Sequence, residues 1–244
     1  MKKTLLLIAL LPTLLWAQGT DSAETVLRRF TTMLNHEALP RDSMLVLETT
    51  VSYPGSADTF VMRRWYLPDS MLRIEVWRGD SLTYGLCTNG TTRHREYSAR
   101  MGWWRDLFAD EFNRKIQAYD FRGPLHYWYD DETRFTYAGT ITFKGHPMRV
   151  VRAERQKSNI RYFLFESGSG LLTMVVNADH LPGGDLAAAD EHSDWSAYHE
   201  YLPLGESLIA SEQSYLHNGL LTVMRTTARF EKPNTLIFNK DTPE

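Results

Sequence analysis

The chain has 244 residues, with 27 Lys and Arg against 30 Asp and Glu, for a formal charge of −3. That weakly acidic balance gives no electrostatic reason to expect nucleic acid or an anionic membrane surface as a partner. A single cysteine, Cys87, excludes an internal disulfide and any zinc site built on a cysteine pair.

The N-terminal stretch "MKKTLLLIALLPTLLWAQG" carries Lys2 and Lys3, an apolar run of 12 residues from Leu5 to Trp16, and the small Ala17 before Gln18. These are the parts of a secretory signal peptide, residues 1–17, with cleavage expected after Ala17. The run is shorter than the roughly 20 residues a membrane-spanning helix needs. No cysteine stands near the cut, so no lipid anchor is expected. Residues 18–244 are expected to form a single periplasmic domain, monomeric, with a charge of about −5 once Lys2 and Lys3 are gone.

A helix opens the mature chain in "DSAETVLRRFTTMLNHE". Asp21 or Ser22 can cap it, Glu24 sits in its first turn, and Val26, Phe30, Met33 and Leu34 make one apolar stripe. From residue 43 to 97 the pattern is β. Its runs are separated by turn chemistry at Tyr53-Pro54-Gly55, Pro68-Asp69, Gly79-Asp80 and Asn89-Gly90, which predicts a meander. In "MLRIEVW", Leu72, Ile74 and Val76 share one face and Arg73 and Glu75 the other. Arg63, Arg64 and Arg73 stand among Trp65, Tyr66 and Trp77. They could form a cationic rim for a headgroup, or pair with Glu75 or another acid on a wet face; alternation favours the second. Cys87, in "LTYGLCT", reads as a buried, inert strand thiol.

In "WWRDLFADEFNRKIQAY", Trp104, Leu107, Phe108, Phe112, Ile116 and Tyr119 recur at helical spacing, which predicts a helix over residues 103–120. The β pattern resumes over 133–230, with turns at Lys144-Gly145-His146-Pro147, Ser167 to Gly170, Pro203-Leu204-Gly205 and Asn218-Gly219. A loop over 181–195, Ala-rich in its middle, breaks it once, and the tail after Lys232 is expected to be loosely held.

The hairpin "NIRYFLFESGSGLLTMVV" is apolar on both faces. Tyr162 and Leu164 point one way and Phe163 and Phe165 the other; Leu172, Met174 and Val176 oppose Leu171 and Val175. A sheet with one wet face would alternate, so both faces need cover. One is expected to meet the N-terminal or mid-chain helix, the other to pack on loops outside the curve. The fold class expected is mainly β with helices (α+β): an antiparallel sheet of about ten to twelve strands with two helices. A sheet this long must curl or close. Helices on its inner face then either fill the core or leave an apolar cavity.

The order of features resembles the LolA-type family, periplasmic lipoprotein-sorting carriers, and its lipid-binding relatives. The matching stations are the first helix, "FVMRRWYLPDSMLRIEVW", the strand pair at Asn89-Gly90, the helical insertion, "FRGPL", "TYAGTITFKGHPMRVVRAE", "IRYFLFESGSGLLTMV" and "YLPLGESLIASEQSYLHNGLLTVMRTTARF". The sequence departs from the family at Leu67, where shuttling members often carry a basic residue before the proline, and in the "RHRE" run at Arg93 to Glu96. The resemblance implies an incomplete, strongly curved barrel with helices as a lid and an acyl chain inside.

Catalytic signatures are absent: there is no Gly-x-Ser-x-Gly, Walker or Rossmann pattern. His180, Asp185, Asp190, Glu191, His192, Asp194, His199 and Glu200 cluster in sequence without His-Glu-x-x-His spacing, and read as a solvated loop. No enzyme activity, metal or cofactor is expected. The function expected is a binder or carrier of a lipoprotein acyl chain or other lipid, exchanging with membrane-bound donor and acceptor proteins. Its candidate lining is Trp65, Leu67, Leu72, Ile74, Val76, Trp104, Leu107, Phe108, Phe112 and Ile116. The alternative is a structural or sensing module with a filled core, docking a partner protein through Trp128 or Trp195.

Overall fold

Turns of two to a few residues make strands that are adjacent in sequence adjacent in space. The computed structural model describes residues 22–67, 71–90, 93–128, 132–155, 159–177 and 194–239. One meander comprises β1 (Met44–Ser52), β2 (Thr59–Leu67), β3 (Met71–Arg78), β4 (Ser81–Asn89), β5 (His94–Ser98) and β6 (Trp103–Leu107). A second comprises β7 (Thr133–Phe143), β8 (His146–Arg155), β9 (Asn159–Glu166), β10 (Leu172–Asn177), β11 (Trp195–Leu204), β12 (Ser207–His217) and β13 (Leu220–Glu231). Two of the tight turns, Lys144-Gly145 and Asn218-Gly219, place both residues at positive φ (49° and 82°, 50° and 75°), the backbone that a two-residue hairpin requires.

β1 pairs antiparallel with β13 from Met44↔Glu231 to Ser52↔Val223, joining the meanders into one 13-stranded sheet with β6 and β7 outermost. The barrel is therefore incomplete. Strands β2 and β9 stand six places apart in the sheet order, roughly 29 Å if the sheet were flat. Met62 and Arg64 of β2 nevertheless line the same cavity as Arg161 of β9. The sheet is strongly curved.

Helix α1 (Ala23–Leu34) starts at Ser22, whose hydroxyl accepts the Thr25 N–H at 3.1 Å, and ends at Asn35 in the left-handed region. Val26, Leu27, Phe30 and Leu34 are its buried stripe, with Leu27 taking the place expected for Met33. Each such side chain contributes about 1.5–3 kcal/mol by leaving water. They pack on Val151, Phe163, Phe165 and Val175 of the concave face, where Phe30 meets Phe165 edge-on at 5.4 Å.

That contact covers one face of the doubly apolar hairpin. A bulge between Leu172 and Met174 turns Leu172 to the α1 side, correcting the expectation that it shares a face with Met174. Arg29 of α1 closes the end by donating to the Gly168 carbonyl at 2.5 Å. Gly170, at φ 81°, lets it approach: a Cβ there would stand 2.7 Å from Arg29 Nε. The opposite face buries Met148, Val150, Leu164, Met174 and Val176 in a cluster built, among the described residues, from strands alone. Most of the loop over 181–195 and the whole of residues 1–17 lie outside the described residues, as do Asp130 and Asp131.

Three expectations fail in the N-terminal half, for one reason: its convex face is dry. Residues 103–107 are strand β6 and not the start of a helix; α2 runs only over Ala109–Ile116, followed by a 3-10 turn, Gln117–Tyr119, and one short turn, α3 (Leu125–Trp128). Trp104 and Leu107 are three apart, which mimics helical spacing, but on a strand they point to opposite faces and both are buried. The tail is not loose: a 3-10 turn, Thr235–Asn239, lays Ile237 and Phe238 against Met44, Val46 and Trp65. Arg73 and Glu75 therefore face protein rather than water. Their side chains, each 1 % exposed, pair at 2.5 Å, and Arg73 also donates to the Ile237 carbonyl at 2.6 Å. Cys87 is buried there with its thiol pKa raised by burial, and it donates to the Phe238 carbonyl at 3.2 Å.

Candidate functional site on the concave face

The inner face of the N-terminal half is apolar: Met62, Leu72, Ile74, Leu86 and Leu107 cluster with Phe112 of α2. α2 is moored to the sheet by charge. Glu96 of β5 accepts from Lys115 at 2.7 Å and from Arg105 at 2.5 Å, and Arg105 also reaches Glu111 at 2.6 Å. Burial alone would raise the Glu96 pKa, but these two cations outweigh it and hold the carboxylate below its usual range.

From α2 the chain crosses the middle of the concave face at residues 119–122. Arg64 is buried beneath it and donates to the Tyr119 carbonyl at 3.0 Å and to Thr49 Oγ1 at 2.9 Å. The Tyr66 hydroxyl donates to the same carbonyl at 2.7 Å, and burial pushes its pKa up to about 12. Asp120 pairs with Arg122 at 2.5 Å and stands 3.8 Å from His126. Phe121 packs on Tyr66 and His36, with ring centroids 4.8 and 5.3 Å away. Burial lowers the pKa of His36, whose Nε2 sits 2.9 Å from the Leu208 carbonyl, and of His126.

Cavities surround this plug. The largest of the three described, about 910 Å³, is a groove whose apolar lining includes Leu39, Leu45, Leu72, Phe112, Ile116, Phe121 and Phe230. A second, about 450 Å³, is a chamber on the far side of Phe121, between β2 and β9. A third, about 640 Å³, lies under α1 beside Leu27, Phe30 and Leu125. All fall in the size range of small-molecule sites, roughly 300–1,000 Å³.

The chamber is more polar than the groove. Arg64, Arg155 and Arg161 line it together with Trp128, Tyr198 and Tyr215. Burial raises the pKa of both tyrosines, Tyr215 to about 12, so they remain neutral phenols. Arg161 lies 4.7 Å over the Trp128 ring, a cation–π contact. Its buried Nε has no hydrogen-bond partner, and burial lowers its pKa. An unmet buried donor costs about 1–3 kcal/mol.

No family model matches the sequence, and no curated protein matches it significantly. Solved structures do. A LolA superfamily protein from Nitrosomonas europaea aligns with TM-score 0.55 at 10 % identity, covering 91 % of this chain and 99 % of its own. A DUF1329 family protein from Desulfovibrio piger aligns with TM-score 0.54 at 9 % identity, covering 90 % and 98 %. A Vibrio parahaemolyticus domain assigned to outer membrane lipoprotein sorting aligns with TM-score 0.50 at 12 % identity, covering 89 % and 94 %. The fold is LolA-like.

Within this LolA-like sheet, six of the expected lining residues gather on the concave face: Leu72, Ile74, Val76, Leu107, Phe112 and Ile116. Trp65 and Trp104 do not join them, because strand parity sends both to the convex face. Leu67 packs against the convex cluster and reaches the groove's rim. Phe108 is 86 % exposed before α2 and lines none of these three cavities. Trp128, expected as an exposed anchor, is 5 % exposed and belongs to the core with α1, whereas Trp195 is half-buried on the convex face. Of the basic strand residues, Arg63 pairs with Glu48 at 3.0 Å across the sheet, Arg73 pairs with Glu75, and Arg64 turns inward.

The sequence reading missed Arg161 and Phe121. A signal for Arg161 existed: its parity with Phe163 and Phe165 puts a cation on a face otherwise apolar. Asp194 is bound by His217 at 2.7 Å and by the Asn218 N–H at 3.1 Å, and His199 meets Ser214 at 2.8 Å. Among the described residues no three His, Cys, Asp or Glu side chains converge as metal ligands, and no helix is long and apolar enough to cross a membrane.

Proposed function

We propose that this protein is an exported, non-catalytic carrier that holds an acyl chain of a lipid or lipoprotein in the groove between α2 and the sheet. The observation carrying this reading is the 910 Å³ groove, walled by Leu72, Phe112, Ile116 and Phe230 and bordered by Asp120 and Phe121, which also line the chamber. Each methylene buried there would contribute about 0.8 kcal/mol. Shifting the Asp120-Phe121 segment would join groove and chamber into a longer channel, since both are lined by these two residues. The LolA-like fold, shared with a domain assigned to lipoprotein sorting, supports the reading. So do the signal-peptide features of residues 1–17, which direct the chain to the periplasm.

The test is native mass spectrometry of protein purified from periplasm without detergent, with organic extraction of any adduct. An adduct that extracts as an acyl lipid is expected. Phe112→Asp should abolish uptake of a fluorescent fatty acid with the β circular dichroism unchanged, while Phe108→Asp, at an exposed position, should leave uptake intact. A clean apo mass together with no uptake would sink the carrier reading in favour of a partner-binding module.

A further inference from the structure

Three arginines line the chamber, and they differ in how their charge is spent. Arg155 stands 3.6 Å from the Glu132 carboxylate. Arg64 commits its two Nη atoms to Thr49 and the Tyr119 carbonyl. Arg161 makes no hydrogen bond or ion pair with any described residue; its partner is the face of Trp128. The acids nearby take their hydrogen bonds elsewhere: Asp194, whose charge still reaches Arg161, from His217 and Asn218, while Asp120, which also lines the chamber, pairs with Arg122.

The site is built rather than incidental. Trp128 holds the guanidinium at 4.7 Å, a group whose planar fork suits a bidentate contact with an oxyanion. Arg161 is half-buried with an unmet donor, and an oxyanion at its guanidinium would be favoured. Tyr198 and Tyr215, kept neutral by burial, add hydroxyls to the same chamber without adding negative charge. A groove with an apolar lining and a cationic chamber adjoin at Asp120 and Phe121, which line both, so the two together match an amphiphile with an oxyanion at its head.

We infer that Arg161, held by Trp128, binds the carboxylate or phosphate head of the cargo while its chain runs past Phe121 into the groove. The inference rests on the carrier reading above and narrows it to anionic amphiphiles.

The experiment is titration of the full mature chain with palmitate, hexadecyl phosphate, hexadecanol and inorganic phosphate, followed by tryptophan fluorescence and calorimetry. The anionic amphiphiles are expected to bind at least about tenfold more tightly than hexadecanol. Arg161→Met should remove that margin and leave hexadecanol binding unchanged; Arg161→Lys, which keeps charge without the fork, should retain part of it. Circular dichroism checks that each variant folds. If Arg161→Met does not fold, the margin in the wild type and its reduction in Arg161→Lys decide the matter. Equal affinity for palmitate and hexadecanol, or a margin that survives in Arg161→Met, would overturn the anion site and leave the carrier reading standing. If hexadecanol, palmitate and hexadecyl phosphate all fail to bind, both fall. Inorganic phosphate binding through Arg161 as tightly as any amphiphile would also overturn the headgroup assignment, because the site would then serve a free anion.

Discussion

Arg73 and Arg161 sit on strands of the same sheet, each with its guanidinium over a tryptophan, at 5.3 Å from Trp104 and 4.7 Å from Trp128. On the convex face, Arg73 is 1 % exposed and saturated: Glu75 takes its Nε and Nη2, and the Ile237 carbonyl takes Nη1. Trp77 donates to the other oxygen of Glu75 at 3.1 Å. On the concave face, Arg161 has the ring, the more distant charge of Asp194, and an Nε without a hydrogen-bond partner. A charge that is fully paired fixes how elements dock. Arg161, half-buried and lining a cavity, has no such hydrogen-bonded mooring. The convex face thus holds the fold together, while the concave face carries the groove and chamber that we propose for the cargo.

The largest effect expected tests the convex side. Glu75→Gln leaves the Arg73 cation buried without its counter-charge and should cost about 3–5 kcal/mol in urea unfolding, as broken buried ion pairs do. A loss below about 1 kcal/mol would mean that Arg73 escapes to water and that the pair does not hold the C-terminal turn. Next in size is Gly85, where an added Cβ would stand 2.6 Å from Trp104 Cη2. The ring is wedged over Cys87 and Leu82, so Gly85→Ala should cost about 1–3 kcal/mol. Unchanged stability would show that Trp104 is free to move, and with it the edge strand β6.

The same contrast explains which parts of the molecule could be read from sequence. The meanders and the first helix followed from turn chemistry and periodicity, and the curvature of the sheet from its length and from the family resemblance. Strand β6 was hidden because Trp104 and Leu107 are both buried, on opposite faces, so hydrophobicity did not alternate where the chain did. The tail was hidden because the burial of Ile237 and Phe238 depends on an acceptor need created by Arg73 and Cys87, about 150 residues earlier in the chain. Of the site, the apolar wall of the groove was legible through Leu72, Phe112 and Ile116. The chamber was not: it is assembled from β2, β8, β9, β11, β12, β13, α3 and the residues near Phe121, a juxtaposition that only curvature produces.

Acid should weaken the plug more than the convex face. Burial lowers the pKa of His36, with the Leu208 carbonyl and Asp120 opposing more weakly, so the folded state binds its proton less readily than the unfolded chain. Stability from this group is full above the unfolded value, about 6.5, and declines as pH falls below it, by at most about 1.4 kcal/mol per pH unit. Denaturation at pH 7.5 and 5.5 should show that decline in the wild type and a shallower one in His36→Gln. Equal slopes would mean that the imidazole is effectively solvated and that the contact with Phe121 is loose.

The smallest effect expected is the most informative about the comparison. Arg161→Met retains an apolar stem against Trp128 and removes a buried donor that no described residue satisfies, so it should change stability by no more than about 0.5 kcal/mol, with a gain as acceptable as a loss. Set beside Glu75→Gln, this is a several-fold difference between two arginine environments that look alike from the sequence. A loss for Arg161→Met as large as that for Glu75→Gln would mean that the guanidinium is a structural tie after all. The chamber would then be a packing defect beside a load-carrying side chain, and the distinction between a face that binds the fold and a face that binds a ligand would not survive.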